Sequence, residues 1–202
     1  MVFNKKKNPT YREYSKQIAS FAKSKVPLFT WLLGDNKHLH HYSIKEIKSA
    51  LQAHEITYQI FEIGANNIDS CPPWEQSALF AKRTCYHLSF VASSTQNTKL
   101  LERIYKGQNF SNNVFIFSYP KHPYPKAFSE FVEQSESVKI VCPQITEYEL
   151  EYVINDLLKK FSLKLPRQSI PMLKNYLGCD FCKLENEIKR LSLMFCKRSD
   201  IS

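Results

Sequence analysis

Glycine is scarce, with only four in 202 residues. So few cannot furnish the glycine-rich cradles in which backbone N–H groups close around a phosphate. The chain accordingly contains neither GxxxxGK[ST] nor GxGxxG, which removes P-loop nucleotide hydrolysis and dinucleotide binding from the expected chemistries. No GxSxG elbow is present to carry a serine nucleophile. No run of about 18 apolar residues occurs, so no segment reads as a membrane-spanning helix and no membrane partner is expected. The start, MVFNKKKNPTYREYSK, lacks the apolar core of a secretory signal, and a cytoplasmic location is the expectation. Acidic residues are outnumbered, 19 Asp and Glu against 28 Lys and Arg, for a formal net charge of +9. That excess favours association with a polyanion or an acidic partner.

The six cysteines form no disulfide framework, and without an export signal they read as reduced thiols. Cys179 and Cys182 make the one CxxC, and no second pair lies at zinc-site spacing. His38, His40 and His41 have no neighbouring acid or cysteine to complete a metal site, and read as solvent-facing residues at a helix start. Glu185 and Glu187 with Lys183 and Lys189 lie at helical spacings that make surface ion pairs. Cys85 falls inside a strand pattern, away from the helix N-terminus that would activate a thiol. No active site, metal or cofactor is expected from these residues.

What is present is 43% hydrophobic and 13% aromatic, ample for a core. After a basic start, YREYSKQIASFAKSK places Tyr11, Tyr14, Ile18 and Phe21 on one helical face. LFTWLL (28–33) is a continuous apolar run, the pattern of a strand buried on both sides, and Gly34-Asp35 closes it. In YSIKEIKSALQAH the spacing predicts a helix with Ser43 as N-cap and Glu46 completing a capping box. ITYQIFEI (56–63) alternates as a strand, residues 73–80 read as a short helix, and TCYHLSFVA as the next strand. TKLLERIYKG (a helix stopped at Gly107), NVFIFSY (a strand), AFSEFVEQS (a helix) and VKIVC (a strand) complete the alternation.

Five strands separated by helices predict an α/β domain with a mainly parallel sheet over residues 1–142. After Pro143 the pattern is helical only. TEYELEYVINDLLKKFSL, QSIPMLKNYLG and CKLENEIKRLSLMF predict a three-helix unit over 143–202, with a Thr146–Glu149 capping box and a stop at Gly178. In the turn after the first strand, Leu33-Gly-Asp-Asn-Lys-His38, one glycine stands alone and an aspartate opposes phosphate.

PLFTWLLGDNKHLHHYSIKEI resembles the opening of the bacterial DNA polymerase III delta subunits, the clamp-loader branch of the AAA+ proteins. NVFIFSYPK (113–121) is similar to a later strand of that family. The stretch from Val138, through Leu177-Gly-Cys-Asp180 and Asn186-Glu187 to the end of the last helix, is similar to its second domain. The resemblance covers residues 10 to 197 and implies a P-loop/AAA+-like sheet domain without a functional P-loop, followed by a small lid-like domain. It implies a subunit that binds no ATP itself and works within the DNA polymerase III holoenzyme. Its partners would be the sliding clamp (beta), the gamma/tau and delta prime clamp-loader subunits and, more weakly, DNA. Its task would be to help open the clamp for loading onto primed DNA. Such subunits continue into a third, collar domain, which this chain, ending at Ser202, lacks; it is either a fragment or a protein that assembles differently.

In the family the clamp contact is a Leu-Phe pair before a central strand, and Ser77-Ala-Leu79-Phe80-Ala-Lys-Arg83 matches it. Leu79 and Phe80 are therefore the implied clamp-binding residues; by local pattern alone, both would be core. A rival reading rests on charge. It makes the chain a nucleic-acid-binding module, with Lys5, Lys6, Lys7, Arg12, Lys121 and Lys126 on phosphates.

Overall fold

The sheet follows from the apolar runs. In the computed structural model, which describes residues 9–23, 26–64, 83–91, 95–106, 113–121, 126–133 and 137–199, five segments are strands. They are β1 (Phe29–Leu33), β2 (Thr57–Ile63), β3 (Thr84–Phe90), β4 (Val114–Tyr119) and β5 (Ser137–Val141). All pairings are parallel and the order is β2-β3-β4-β1-β5. The two most continuously apolar strands, β1 and β4, lie inside the sheet, where helices can cover both faces. β2, whose sequence alternates, is an edge strand and exposes Thr57, Gln59, Ile60 and Glu62.

The helices are α1 (Tyr11–Lys23), α2 (Lys37–Ala53), α3 (Thr95–Lys106), α4 (Lys126–Val132), α5 (Leu150–Lys160), α6 (Ser169–Leu177) and α7 (Phe181–Ser199). One sheet face packs Trp31, Leu88, Phe90, Phe115 and Phe117 against α3 and α4 through Leu101, Ile104, Phe128 and Val132. This core is aromatic: Trp31 and Phe117 have ring centroids 4.8 Å apart, and Phe29 stacks on Tyr105 at 4.5 Å. Trp31 satisfies its indole by donating from Nε1 to the Tyr105 hydroxyl at 3.1 Å. Alternate strand residues, Thr30, Leu32, Cys85, His87, Ile116 and Ser118, point to the opposite face.

The chain divides into two compact units. One holds residues 14–142; the other joins the described residues up to Glu13 to those from Pro143 onward. The second unit contains α5, α6 and α7 around Val153, Ile154, Leu157, Phe181, Leu184 and Ile188. Tyr11 is buried in it, donating its N–H to Glu149 Oε1 at 2.7 Å and its hydroxyl to Asp156 Oδ2 at 3.0 Å. Glu149 also accepts from the N–H and hydroxyl of Thr146, at 3.2 and 2.9 Å, before α5 begins.

With glycine scarce, other residues take left-handed positions at two helix ends. Glu55 (φ 56) follows α2 and Ser162 (φ 52) follows α5. In each case the next residue's N–H returns to a carbonyl five positions back, Ile56 to Leu51 and Leu163 to Leu158. These are Schellman closures of the kind glycine usually makes. Gly178, at φ 60 and ψ −152, closes α6 in a conformation essentially reserved for glycine.

Two local expectations are corrected. α2 begins at Lys37, six residues before Ser43, because the Asn36 side chain accepts from the Leu39 N–H at 3.2 Å and acts as its N-cap. Ser43 lies within the helix, buried, and donates to the Leu39 carbonyl at 2.7 Å. Starting the helix earlier also rotates His40 inward. It is 8% exposed, while His38 and His41 remain on the surface.

Candidate functional site

In open α/β sheets the carboxyl ends of the strands are where ligands gather. At the end of β1 stands the turn Gly34-Asp35-Asn36, where a phosphate loop would belong. Several of its polar groups are already engaged. The Cys142 N–H donates to the Leu33 carbonyl at 2.7 Å, tying the end of β5 to the end of β1. His40 Nε2 donates to the Gly34 carbonyl at 2.7 Å, so the imidazole carries its proton on that nitrogen. Asn36 Oδ1 occupies the Leu39 N–H of α2, and the Asn36 carbonyl accepts from the His40 N–H at 3.0 Å.

The groups beneath the turn are held neutral. Burial lowers the His40 pKa from its ordinary value and raises that of the Tyr14 phenol. Burial likewise pushes the Cys142 thiol up to about 12. Tyr14, Ser43 and Cys142 are linked: the two hydroxyls are 2.9 Å apart, and Ser43 Oγ lies 3.7 Å from Cys142 Sγ. Below the turn the buried groups are neutral, and the exposed Asp35 adds a charge that opposes phosphate.

A second buried polar group was not singled out in the sequence. His87 lies mid-sheet, 1% exposed, with one ring nitrogen facing the Tyr58 hydroxyl and the other 2.8 Å from Ser118 Oγ. Burial, with smaller contributions from His40 and Lys48, brings its pKa down to about 4, so it is neutral near pH 7. Lys48 caps the arrangement with its ammonium 4.4 Å from the Tyr58 ring centroid. The alternation of TCYHLSF places His87 and Cys85 on one sheet face, which was the available signal. Cys85 is buried and its thiol is pushed up to about 12, as an inert core cysteine.

The implied clamp-binding residues, Leu79 and Phe80, lie in the connection between β2 and β3, within residues 65–82, outside the described residues. Lys5, Lys6 and Lys7 also lie outside them. Lys121 and Lys126 are described and exposed, one just beyond β4 and the other opening α4. They therefore stand at either end of one loop at the carboxyl edge of the sheet. Arg12 belongs to the helical unit, where its guanidinium lies 6.0 Å from the Tyr152 ring centroid. Among the described residues no three His, Cys, Asp or Glu side chains converge as metal ligands. No described helix is long and apolar enough to cross a membrane.

The sequence matches no family model and no curated protein. In fold it is similar to the DNA clamp loader delta protein of Bacillus subtilis, with a TM-score of 0.66 at 11% identity. The match takes in 90% of this chain and 57% of that one, so the chain spans less than two thirds of that protein's length. AMPPCP-bound DnaA of Aquifex aeolicus is similar with a TM-score of 0.53 at 12% identity, over 99% of this chain and 68% of that one. A RuvB structure of Thermotoga maritima gives 0.51 at 8% identity, over 94% and 63% respectively. The fold expected from the sequence, a mainly parallel five-stranded α/β sheet followed by three helices, is the fold that the chain has.

Proposed function

We propose that the chain is a non-catalytic, clamp-loader-like protein of DNA replication, built as a sheet domain and a three-helix domain whose boundary falls near residue 142. It grips a sliding clamp through Leu79 and Phe80 and favours the open ring. The observation that carries the reading is the location of this pair. It sits in the β2–β3 connection of a fold similar to that of a clamp loader delta protein. The engaged β1–α2 turn supports the non-catalytic part, since a subunit of this kind leaves ATP hydrolysis to its partners. Those partners are the gamma/tau and delta prime subunits of a cytoplasmic loader.

Burying a leucine and a phenylalanine yields about 1.5–3 kcal/mol each, enough to anchor a helix tip in a pocket once association costs are met. Opening follows if the clamp's pocket binds the pair better in the open ring, because a ligand shifts an equilibrium only by its differential affinity. The test is binding of the cognate clamp by the Leu79→Ala, Phe80→Ala double variant, measured beside its melting temperature. Loss of binding with unchanged melting supports the reading. Retained binding overturns it, and lost binding with a collapsed melting temperature assigns the pair to the core.

The second reading, a nucleic-acid module, is favoured by the exposed Lys121 and Lys126 at one loop. Salt-dependent DNA binding by this chain, without clamp affinity, would select it.

A further inference from the structure

The helical unit carries an open groove that the clamp reading does not use. It measures about 1240 Å³ and runs between α5, the turn after it, and the first turns of α6. Sites for one small molecule run to about 300–1,000 Å³, so this groove has room for a stretch of polypeptide. Its floor is aliphatic, formed by buried Leu163 and half-buried Leu165 and Ile170. Its rim is basic: Lys159, Lys164 and Arg167 are exposed and Lys174 is half-exposed, against one lining carboxylate, Glu151.

These cations differ from their neighbours. In the same unit Lys183 pairs with Asp180 at 3.7 Å and Arg190 with Glu187. Among the described residues, none of the four rim cations has such a partner. Four unpaired positive charges around an apolar floor repel one another, and an acidic ligand relieves that repulsion.

The lining discriminates between two kinds of anion. Single-stranded nucleic acid binds through base stacking on aromatic rings together with phosphate contacts. Among the described residues no aromatic side chain lines this groove, and a phosphate backbone would satisfy the rim while leaving the aliphatic floor wet. A peptide bearing both carboxylates and aliphatic side chains satisfies floor and rim together. We infer that this groove docks a segment of a partner protein in which acidic residues are interleaved with aliphatic ones.

The test uses the full chain and a fluorescein-labelled peptide with glutamate and leucine at helical spacing, read by anisotropy. Saturable binding is expected. Lys164→Glu with Arg167→Glu should weaken it by about tenfold or more, a loss of about 1.4 kcal/mol or greater. Both side chains are exposed, so melting should be unchanged. Lys37→Glu with Lys45→Glu, both exposed on α2, makes the same change in net charge and should leave binding nearly intact. Equal weakening by the α2 pair would reduce the effect to overall charge and overturn the proposal. So would absence of saturable binding, or tighter binding of an oligothymidylate that the groove variants abolish. A peptide in which serine replaces leucine should bind more weakly; unchanged affinity would remove the aliphatic floor from the site.

Discussion

The carbonyl oxygen of Cys142 lies 2.2 Å from where a Cβ on Gly34 would stand. The end of β5 thus occupies the space that a side chain at the β1–α2 turn would need, and Gly34 has a φ of 108 in addition. At this position both the backbone conformation and the packing require glycine. Gly34→Ala is therefore expected to destabilise by more than the about 1–3 kcal/mol of backbone strain alone. A lowered urea midpoint with an unchanged slope is the check.

At the same turn, Asn36 spends its side chain on the helix. Asn36→Ala should lower stability by about 1 kcal/mol, the usual value of an N-cap. It should not create nucleotide affinity, because no lysine of a GK[ST] sequence follows. Titration of the wild type and the variant with magnesium-ATP should give no saturable heat.

Where other residues stand in for glycine, glycine should help. A left-handed non-glycine residue costs about 1–2 kcal/mol, partly offset by the about 0.5–1 kcal/mol of extra chain entropy that glycine loses on folding. Glu55→Gly and Ser162→Gly should each raise stability by up to about 1 kcal/mol. Gly178→Ala should lower it although open space surrounds the site, because its backbone conformation excludes a Cβ. Thermal melting of the three variants separates backbone strain from packing.

His87 makes stability depend on pH. Its folded pKa, about 4, lies below the ordinary 6.5, so on acidification the unfolded chain takes up the proton first. The contribution is complete above pH 6.5 and is lost as pH falls toward 4. At about 1.4 kcal/mol per unit it amounts to about 3 kcal/mol at most. His40, shifted in the same direction by burial, adds to it. Stability of the wild type should fall between pH 6.5 and 5, above the range where carboxylates titrate. His87→Gln should flatten that slope; an unaltered slope would place the dependence elsewhere.

Much of the fold was legible because its signals are local. FTWLL and VFIFSY are apolar without alternation, which only strands covered on both faces allow, and both proved central. TYQIFEI alternates, and it is the edge strand with four exposed residues. The start of α2 was misplaced because Ser43 and Glu46 match a capping box as well as Asn36 does the capping. Only the packing distinguishes the two registers: His40 meets the Gly34 carbonyl, and Ser43 meets Tyr14 and Cys142. The basic rim of the groove was invisible for a related reason. Lys159, Lys164, Arg167 and Lys174 are scattered along a charged stretch in which no spacing reveals which cations converge.

By itself the sequence determined which of the described segments are helix or strand and that neither phosphate-loop motif is present, since periodicity and the scarcity of glycine are properties of neighbouring residues. The tertiary structure alone decided the strand order β2-β3-β4-β1-β5 and the neutral burial of His40 and His87. It also gathered four unpaired cations around an aliphatic floor. These depend on residues far apart in the chain meeting through packing, and burial and electrostatic environment exist only once that packing has formed.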